Sequence, residues 1–271
     1  MPTALVTADH RAAADRLVDA AARGVPCRPV RDLLGVSVDD AYAVQSLVHQ
    51  ATGAGRRRVG RKIGLTSRAV QAQMGVDRPD FGVLFADAAF GDSEPIPAGR
   101  LMQPRIEAEV AFVLAHDLPE RPVVLSDVIK ATDFVVAAIE IVDSRIADWD
   151  ISIVDTVADN ASSGLFVLGG RPRRLGDMDD LRSVRMQVTT GDHVVSRGDG
   201  AACLGHPLNA VVWLANELAS RGEPLKGGEM VLSGALGPLA AVVPGLRYEA
   251  TFEGLGSVRA DFEPGLFARG S

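Results

Sequence analysis

Glu107 and Glu109 stand two residues apart in Pro104-Arg105-Ile106-Glu107-Ala108-Glu109-Val110-Ala111-Phe112-Val113-Leu114, a stretch that otherwise reads as a strand. Side chains on a strand alternate faces, so both carboxylates point the same way. A third acid, Glu140, lies inside the apolar run Val135-Val136-Ala137-Ala138-Ile139-Glu140-Ile141-Val142. Alternation does not explain an acid at the centre of such a run, which looks buried on both faces. Burying one lone carboxylate is costly, and burying three is worse unless a cation neutralises them. With no matching basic cluster, the three acids point to a site for a hard divalent ion such as Mg2+ or Mn2+. The plainer alternative is an E-x-E lining a solvated strand face.

The elements around these acids follow from pattern. Residues 8–23 are alanine-rich, with Leu17, Val18 and Ala21 on one helical face and Gly24 as a stop. Ser37 and Asp40 have the spacing of a capping box, and Val44, Leu47, Val48 and Ala51 follow at helical period. Arg58 to Ile63 reads as a short strand closed by Gly64, and Thr66 or Ser67 can cap a short helix carrying Val70 and Met74. Pro79-Asp80-Phe81-Gly82 is turn chemistry. Beyond it, strands are expected at 82–85, 105–115, 134–142, 164–168, 183–189, 229–233, 239–243 and 247–253. One helix interrupts them, started by His206-Pro207, with Leu208, Val211, Val212, Ala215 and Ala219 as its apolar stripe. Pro172 to Asp180 reads as a polar surface connection. The expected plan is an α-rich segment over 1–78 and a β-rich catalytic core over 79–271, within one compact unit.

Bulk properties exclude several classes. The 271 residues suit one large domain, and 47% apolar with 23% charged residues is ordinary for a globular chain. A net charge of −7 argues against a nucleic-acid surface, and Arg56-Arg57-Arg58 with Arg61 and Lys62 is a short run. No apolar stretch approaches the ~20 residues that span a bilayer. The first residues carry acids and no apolar segment of the secretory type. Cys27 and Cys203 have no metal-type spacing, and two free thiols fit a reducing cytoplasm. None of the five histidines has ligand spacing.

Several segments, in one order, resemble a known family. They are Gly60-Arg61-Lys62-Ile63-Gly64-Leu65-Thr66-Ser67, Pro79-Asp80-Phe81-Gly82, Glu107-Ala108-Glu109, Ile139-Glu140-Ile141-Val142-Asp143-Ser144-Arg145 and Asp155-Thr156-Val157-Ala158-Asp159-Asn160-Ala161-Ser162-Ser163-Gly164. The chain is similar in these to the hydratase/decarboxylase family of aromatic meta-cleavage pathways, within the fumarylacetoacetate hydrolase superfamily. The likeness runs from about residue 10 to Gly254-Leu255-Gly256-Ser257-Val258. It implies an α+β fold: a mixed β-roll or sandwich core with the α-rich N-terminal part packed outside. It also implies Mg2+ or Mn2+ held by Glu107, Glu109 and Glu140, small 2-oxo or 2-hydroxydienoate acids as substrates, and a cytoplasmic homo-oligomer.

The resemblance assigns further roles. By residue type Lys62 belongs on the surface beside its arginines; the likeness makes it the first candidate for proton transfer or for fixing an oxyanion, with a pKa lowered by a neighbouring cation. Asp80 is the second catalytic candidate, as base or hydrogen-bond anchor. Ser162 and Ser163 are candidate donors to the substrate carboxylate, against a plain turn. No Gly-x-Ser-x-Gly elbow surrounds either serine, which disfavours a nucleophile. Asp143 and Arg145 read as strand-end residues, either a local ion pair, the preferred reading for Arg145, or supports behind the substrate or metal, and Asp155 and Asp159 as loop-fixing acids or such supports.

The leading expectation is a hydratase that converts 2-hydroxypenta-2,4-dienoate, or a close homologue, to a 4-hydroxy-2-oxo acid. The alternative on the same scaffold is a 2-oxo-3-hexenedioate decarboxylase, whose second carboxylate needs an extra cation, Arg105 or Arg145. A C–C hydrolase lacks a His–Glu pair to activate water. A non-catalytic subunit is disfavoured because Glu107, Glu109, Glu140 and Lys62 are all present.

Overall fold

The computed structural model describes residues 6–68, 71, 76–120 and 122–267. Thr7 caps α1 (Ala8–Arg23) by accepting from the His10 amide, while the His10 ring accepts from the Thr7 amide. The buried stripe of α1 is His10, Ala13, Ala14, Leu17 and Ala20. Ala21, expected on that stripe, is exposed, because the inward face is set by α3 rather than by α1's own apolar tally. A short α2 (Arg31–Leu34) leads to α3 (Val38–Thr52), whose cap Ser37 accepts from the Asp40 amide. The short helix expected to carry Val70 and Met74 lies mostly outside the described residues.

The strands, in chain order, begin with β1 (Arg58–Gly64), β2 (Asp80–Phe85), β3 (Ala89–Gly91) and β4 (Pro95–Ile96). Then come β5 (Arg105–Leu114), β6 (Thr132–Val142), β7 (Ser163–Leu168), β8 (Arg185–Thr190) and β9 (His193–Asp199). The last are β10 (Met230–Leu232), β11 (Ala240–Ala241), β12 (Arg247–Phe252) and β13 (Gly256–Phe262). One mixed sheet has the order β2-β1-β10-β5-β6-β7-β3, with β11 added on β5. The other has the order β4-β13-β12-β8-β9. β12 and β13 pack against β6, and Tyr248, Ala250, Phe252, Val258, Ala260 and Phe262 alternate inward from them. This buries β6 continuously from Val135 to Val142 and explains its unbroken apolar run. The architecture is α+β.

β1 runs inside the large sheet between β2 and β10, so the helical first part is laddered into the core. Three helices complete the shell: α4 (Leu125–Ala131), α5 (Ile153–Ala158) and α6 (Pro207–Ser220). α6 starts on His206, whose ring accepts from the Leu208 amide. Its buried stripe keeps Leu208, Val211 and Ala215 but adds Leu214 and Leu218 in place of Val212 and Ala219.

The structure also contains β3, β4, β9, β13, α4 and α5, which the pattern reading did not anticipate. The residues of α5, Ile-Val-Asp-Thr-Val-Ala, are mostly β-branched and locally disfavour a helix. Ser152 and Asp155 override that preference with a reciprocal capping box. β9 is an edge strand ordered by pairing with β8. Among the described residues, no helix is long and apolar enough to cross a membrane.

Candidate metal centre and active site

Antiparallel register places Glu107 of β5 directly opposite Glu140 of β6, and Glu109 lies two residues further on the same face. Carboxylate oxygens of the three come within 4.8 Å of one another. Glu109 and Glu140 are fully buried and Glu107 is half-buried, so the cluster deepens along β5 from mouth to floor. The Gly234 amide donates to Glu109 Oε2 at 2.7 Å. Glu109 Oε1 and Glu140 Oε2 accept no hydrogen bond from a described residue. Burial, reinforced by the neighbouring Glu140 charge, lifts the Glu107 carboxyl to about 7. Burial also raises Glu109 well above the carboxylate range and raises Glu140, with Lys62 opposing both shifts.

Lys62 reaches the same face from β1. It pairs in register with Leu232 of β10, which pairs with Ala111 of β5, two residues beyond Glu109. Its ammonium is buried, 2.9 Å from Glu140 Oε1, and donates to the Ala161 carbonyl at 2.9 Å. The expected lowering of the lysine pKa depends on a neighbouring cation; the protein's own groups shift it the other way. Burial disfavours the charge, but Glu140, Asp80, Glu107 and Glu109 together outweigh it and raise the Lys62 pKa. A lowered value would require the positive charge of an ion, which the acids alone do not supply.

Asp80 opens β2 opposite Gly64, on the face of Lys62. A Cβ on Gly64 would lie 2.1 Å from Asp80 Oδ1, so the carboxylate fits only against a glycine. Asp80 is buried and its pKa is raised by that burial against the pull of Lys62. Oδ2 accepts from the Thr156 hydroxyl at 3.3 Å, and Oδ1 has no partner among the described residues. The Thr156 hydroxyl lies 3.4 Å from that of Ser162. Lys62, Asp80, Thr156 and Ser162 thus form one polar wall beside the acids.

Ser162 belongs to a turn in which Asn160, Ala161 and Ser162 all have positive φ, 56, 51 and 52 degrees. Left-handed conformation costs a non-glycine residue roughly 1–2 kcal/mol. Strain of this size, concentrated where one carbonyl meets Lys62 and one hydroxyl meets the site, is the pattern of a functional turn. Ser163 begins β7 half-buried, and its carbonyl accepts from Arg145 at 2.8 Å.

The expected Asp143–Arg145 pair is not formed. Arg145 is ion-paired with Asp159, while Asp143 accepts from the amides of Met102 and Gln103. Both residues lie beyond the end of β6 at Val142, and each takes a different neighbouring segment, Asp143 the one before β5 and Arg145 the one after α5. Asp155 accepts from the Val30 and Arg31 amides and from the Arg31 guanidinium, which ties α2 to α5. Arg105 shares a strand face with Glu107 and Glu109, and its guanidinium stacks 4.3 Å over Trp149. Desolvation lowers its pKa, with no acid among the described residues opposing that shift. A separate cleft of about 1040 Å³ beside Pro79, lined by Tyr42, Arg78, Trp213 and Arg221, includes none of the three glutamates.

Sequence reasoning missed the Ala161 carbonyl, the Gly234 amide and the Trp149 platform. Backbone groups leave no mark on residue type, and Trp149 meets Arg105 only through the loop that follows β6. Thr156 was visible inside its motif, as a hydroxyl near acids.

The donor set fits a hard divalent cation. It offers three carboxylates, at least two of their oxygens unpartnered and buried, with spacing that side-chain rotation can close to the 2.0–2.1 Å bonds of Mg2+. Structural water alone would leave three acids crowded at low dielectric.

The family model described as fumarylacetoacetate (FAA) hydrolase C-terminal matches residues 49–263. The chain belongs to the fumarylacetoacetate hydrolase family. Within that family it is 57% identical over 253 residues to 2-keto-4-pentenoate hydratase 1 of Dechloromonas aromatica (strain RCB), covering 93% of this chain and 96% of that one. It is 54% identical to 2-keto-4-pentenoate hydratase of Paraburkholderia xenovorans (strain LB400), covering 93% and 94%. A solved structure of 4-oxalocrotonate decarboxylase from Pseudomonas putida G7, complexed with magnesium and adipate, superposes with a TM-score of 0.89 at 37% identity, covering 93% and 97%. The fumarylacetoacetate hydrolase match spans Lys62, Asp80, the three glutamates and the left-handed turn.

Proposed function

We propose that the chain is a metal-dependent hydro-lyase that adds water to 2-hydroxypenta-2,4-dienoate, or a close homologue, giving a 4-hydroxy-2-oxo acid in meta-cleavage catabolism. The 57% identity to a 2-keto-4-pentenoate hydratase over nearly the whole chain carries the reading, against 37% to the decarboxylase. Glu107, Glu109 and Glu140 would hold Mg2+ or Mn2+. When bound, that ion supplies a Lewis acid to polarise the 2-oxo group of the substrate.

The chain's own residues then handle protons. The net change is addition of H and OH across the C4–C5 double bond, with the enol at C2 becoming a ketone. Protonation at C5 gives the conjugated 2-oxo-3-enoate, water attacks C4, and a proton is delivered to C3. Lys62, held charged between Ala161 and Glu140, is suited to donate a proton or to fix developing negative charge at the C2 oxygen. Asp80, with its raised pKa and one unpartnered oxygen, is suited to accept a proton from the substrate enol or from water. Ser162 offers a hydroxyl to the C1 carboxylate, and Ser163 is placed beside it at the start of β7.

One observation favours a second reading: Arg105 is an acid-free cation on the metal face, stacked on Trp149. It would receive the far carboxylate of a 2-oxo-3-hexenedioate, the decarboxylase substrate. Arg145 is committed to Asp159 and does not serve. The deciding assay incubates the chain with Mg2+ or Mn2+ and each acid, and follows loss of the dienoate ultraviolet absorbance. Formation of 4-hydroxy-2-oxopentanoate, abolished by chelator, is expected. CO2 release from the hexenedioate without hydration of the pentadienoate would replace the hydratase by the decarboxylase.

A further inference from the structure

The left-handed turn that meets Lys62 is held from behind by two side chains. Among the described residues β2 pairs within its sheet only with β1, which leaves its other edge open at Val83. The Asn160 side chain fills that edge as a strand partner would: Oδ1 accepts from the Val83 amide at 2.7 Å and Nδ2 donates to the Val83 carbonyl at 3.0 Å. These two bonds fix which end of the amide is oxygen. His49 of α3 lies with Nε2 3.0 Å from the same Oδ1, so that nitrogen carries the proton and donates. One turn earlier on α3, buried Gln45 donates to the carbonyls of Phe81 and Val157, closing the same seam between β2 and α5.

The turn lies flat on β2, because a Cβ on Gly82 would come 2.4 Å from the Asn160 carbonyl. From this seat Ala161 presents its carbonyl to Lys62 and Ser162 presents its hydroxyl toward Thr156 and Asp80. Of the three residue types only Asn160 favours the left-handed region; Ala161 and Ser162 do not. The Asp143 amide and Arg145 hold the turn from the β7 side, through the carbonyls of Ser162 and Ser163, while the Asn160 amide ties it to β2 and the ring of His49 completes the acceptor capacity of that amide.

We propose that Asn160 and His49 are positioning residues for Lys62: they lock the turn left-handed so that the Ala161 carbonyl draws one N–H of the ammonium and leaves another for the substrate. Without the lock the turn relaxes, the carbonyl leaves Lys62, and the ammonium settles against Glu140 alone. The proposal rests on Lys62 acting in the reaction, so one readout is independent of turnover. The sequence contains three lysines, Lys62, Lys130 and Lys226, so selective 15N labelling gives a readable set of Nζ signals.

The test compares Asn160→Gly, which tolerates positive φ but removes the clamp, with His49→Leu and with His49→Gln, whose amide can still donate to Asn160. Expected is a fall in kcat of at least about tenfold in Asn160→Gly and His49→Leu, with KM and Mn2+ affinity by calorimetry within about twofold. His49→Gln should recover most of kcat, and the Lys62 Nζ signal should move in the first two variants and not in the third. Should Asn160→Gly fail to fold, Asn160→Asp replaces it, keeping shape and Oδ1 but losing the donor to Val83. The proposal is overturned by unchanged kcat and unchanged Nζ signal in the clamp variants. It is equally overturned if His49→Gln loses as much as His49→Leu, or if kcat, KM, metal affinity and melting temperature fall together. A wild-type chain that does not turn over the dienoate sinks the functional reading, while the Nζ signals still score the clamp.

Discussion

Replacing Glu109 with glutamine should stabilise the metal-free protein while abolishing metal-dependent turnover. Glu109 is fully buried, with Oε2 satisfied by the Gly234 amide and Oε1 without a partner among the described residues, and one of its carboxylate oxygens lies within 4.8 Å of oxygens of Glu107 and Glu140. Glutamine has the same shape and keeps the acceptor for Gly234. Its Nε2 is a fixed donor inside the cluster, where a carboxyl can donate only after taking up a proton, as burial beside Glu140 and Glu107 favours for Glu109. Supplying a partner to a buried polar atom is worth about 1–3 kcal/mol. In a chain of this size that is a rise in melting temperature of about 2–8 °C in chelator. The order reverses with metal. The wild type gains about 2.7 kcal/mol at an ion concentration a hundred times its Kd, and the variant, lacking a ligand, gains far less. Activity should fall by at least about a hundredfold, more than is lost when an outer partner of a ligand is removed. Thermal melts in chelator and in graded Mn2+, with turnover measured in parallel, test this. A variant that melts lower than wild type in chelator yet keeps the full Mn2+ shift would remove Glu109 from the ligand set and refute the crowding argument.

Lys62→Met should lower kcat by about 10²–10⁴-fold, the range for a lost proton-transfer group, with Mn2+ affinity retained by calorimetry. Gly64→Ala should displace Asp80, whose Oδ1 would meet the new Cβ at 2.1 Å; turnover should fall about tenfold or more while the metal-induced rise in melting temperature persists. Acid should destabilise the fold through His49. Burial, with Arg61 and Arg56 adding to it and the Asn160 hydrogen bond opposing it, lowers this imidazole to about 4. Below the unfolded value near 6.5 the unfolded chain takes up a proton that the folded ring refuses, so stability is lost as pH falls from 6.5 toward 4. A fully buried ring would lose about 3 kcal/mol across that window; half-burial reduces this to about 1–2 kcal/mol. Urea unfolding at pH 7 and pH 5 measures it, and His49→Gln should flatten the difference.

Much of the site was legible because its chemistry lives in side-chain type and strand period. Glu107 and Glu109 at i and i+2 had to share a face, and Glu140 in an apolar run had to find compensation, before any register was known. The strands carrying them came within a residue or two of their positions for the same reason. The helix α5 was not legible, because its β-branched residues obey a cap rather than their own preference. The partner of Arg145 was not legible either, since Asp143 and Asp159 are both close in sequence and only the loop path selects between them.

The sequence by itself determined that three carboxylates would be brought into a core too apolar to tolerate them unpaired, whereas Lys62, a surface residue by type, was drawn to the site only by the family resemblance. Burial cost depends on residue type and pattern, and both are local. Tertiary structure alone decided the rest: that Glu140 stands opposite Glu107, that Lys62 crosses two strands to reach it, and that four acids surround its ammonium. It also decided that the carbonyl of a strained turn, clamped from α3, steers that lysine. Those outcomes depend on register, on backbone groups and on distances between segments far apart in the chain, none of which residue identity encodes.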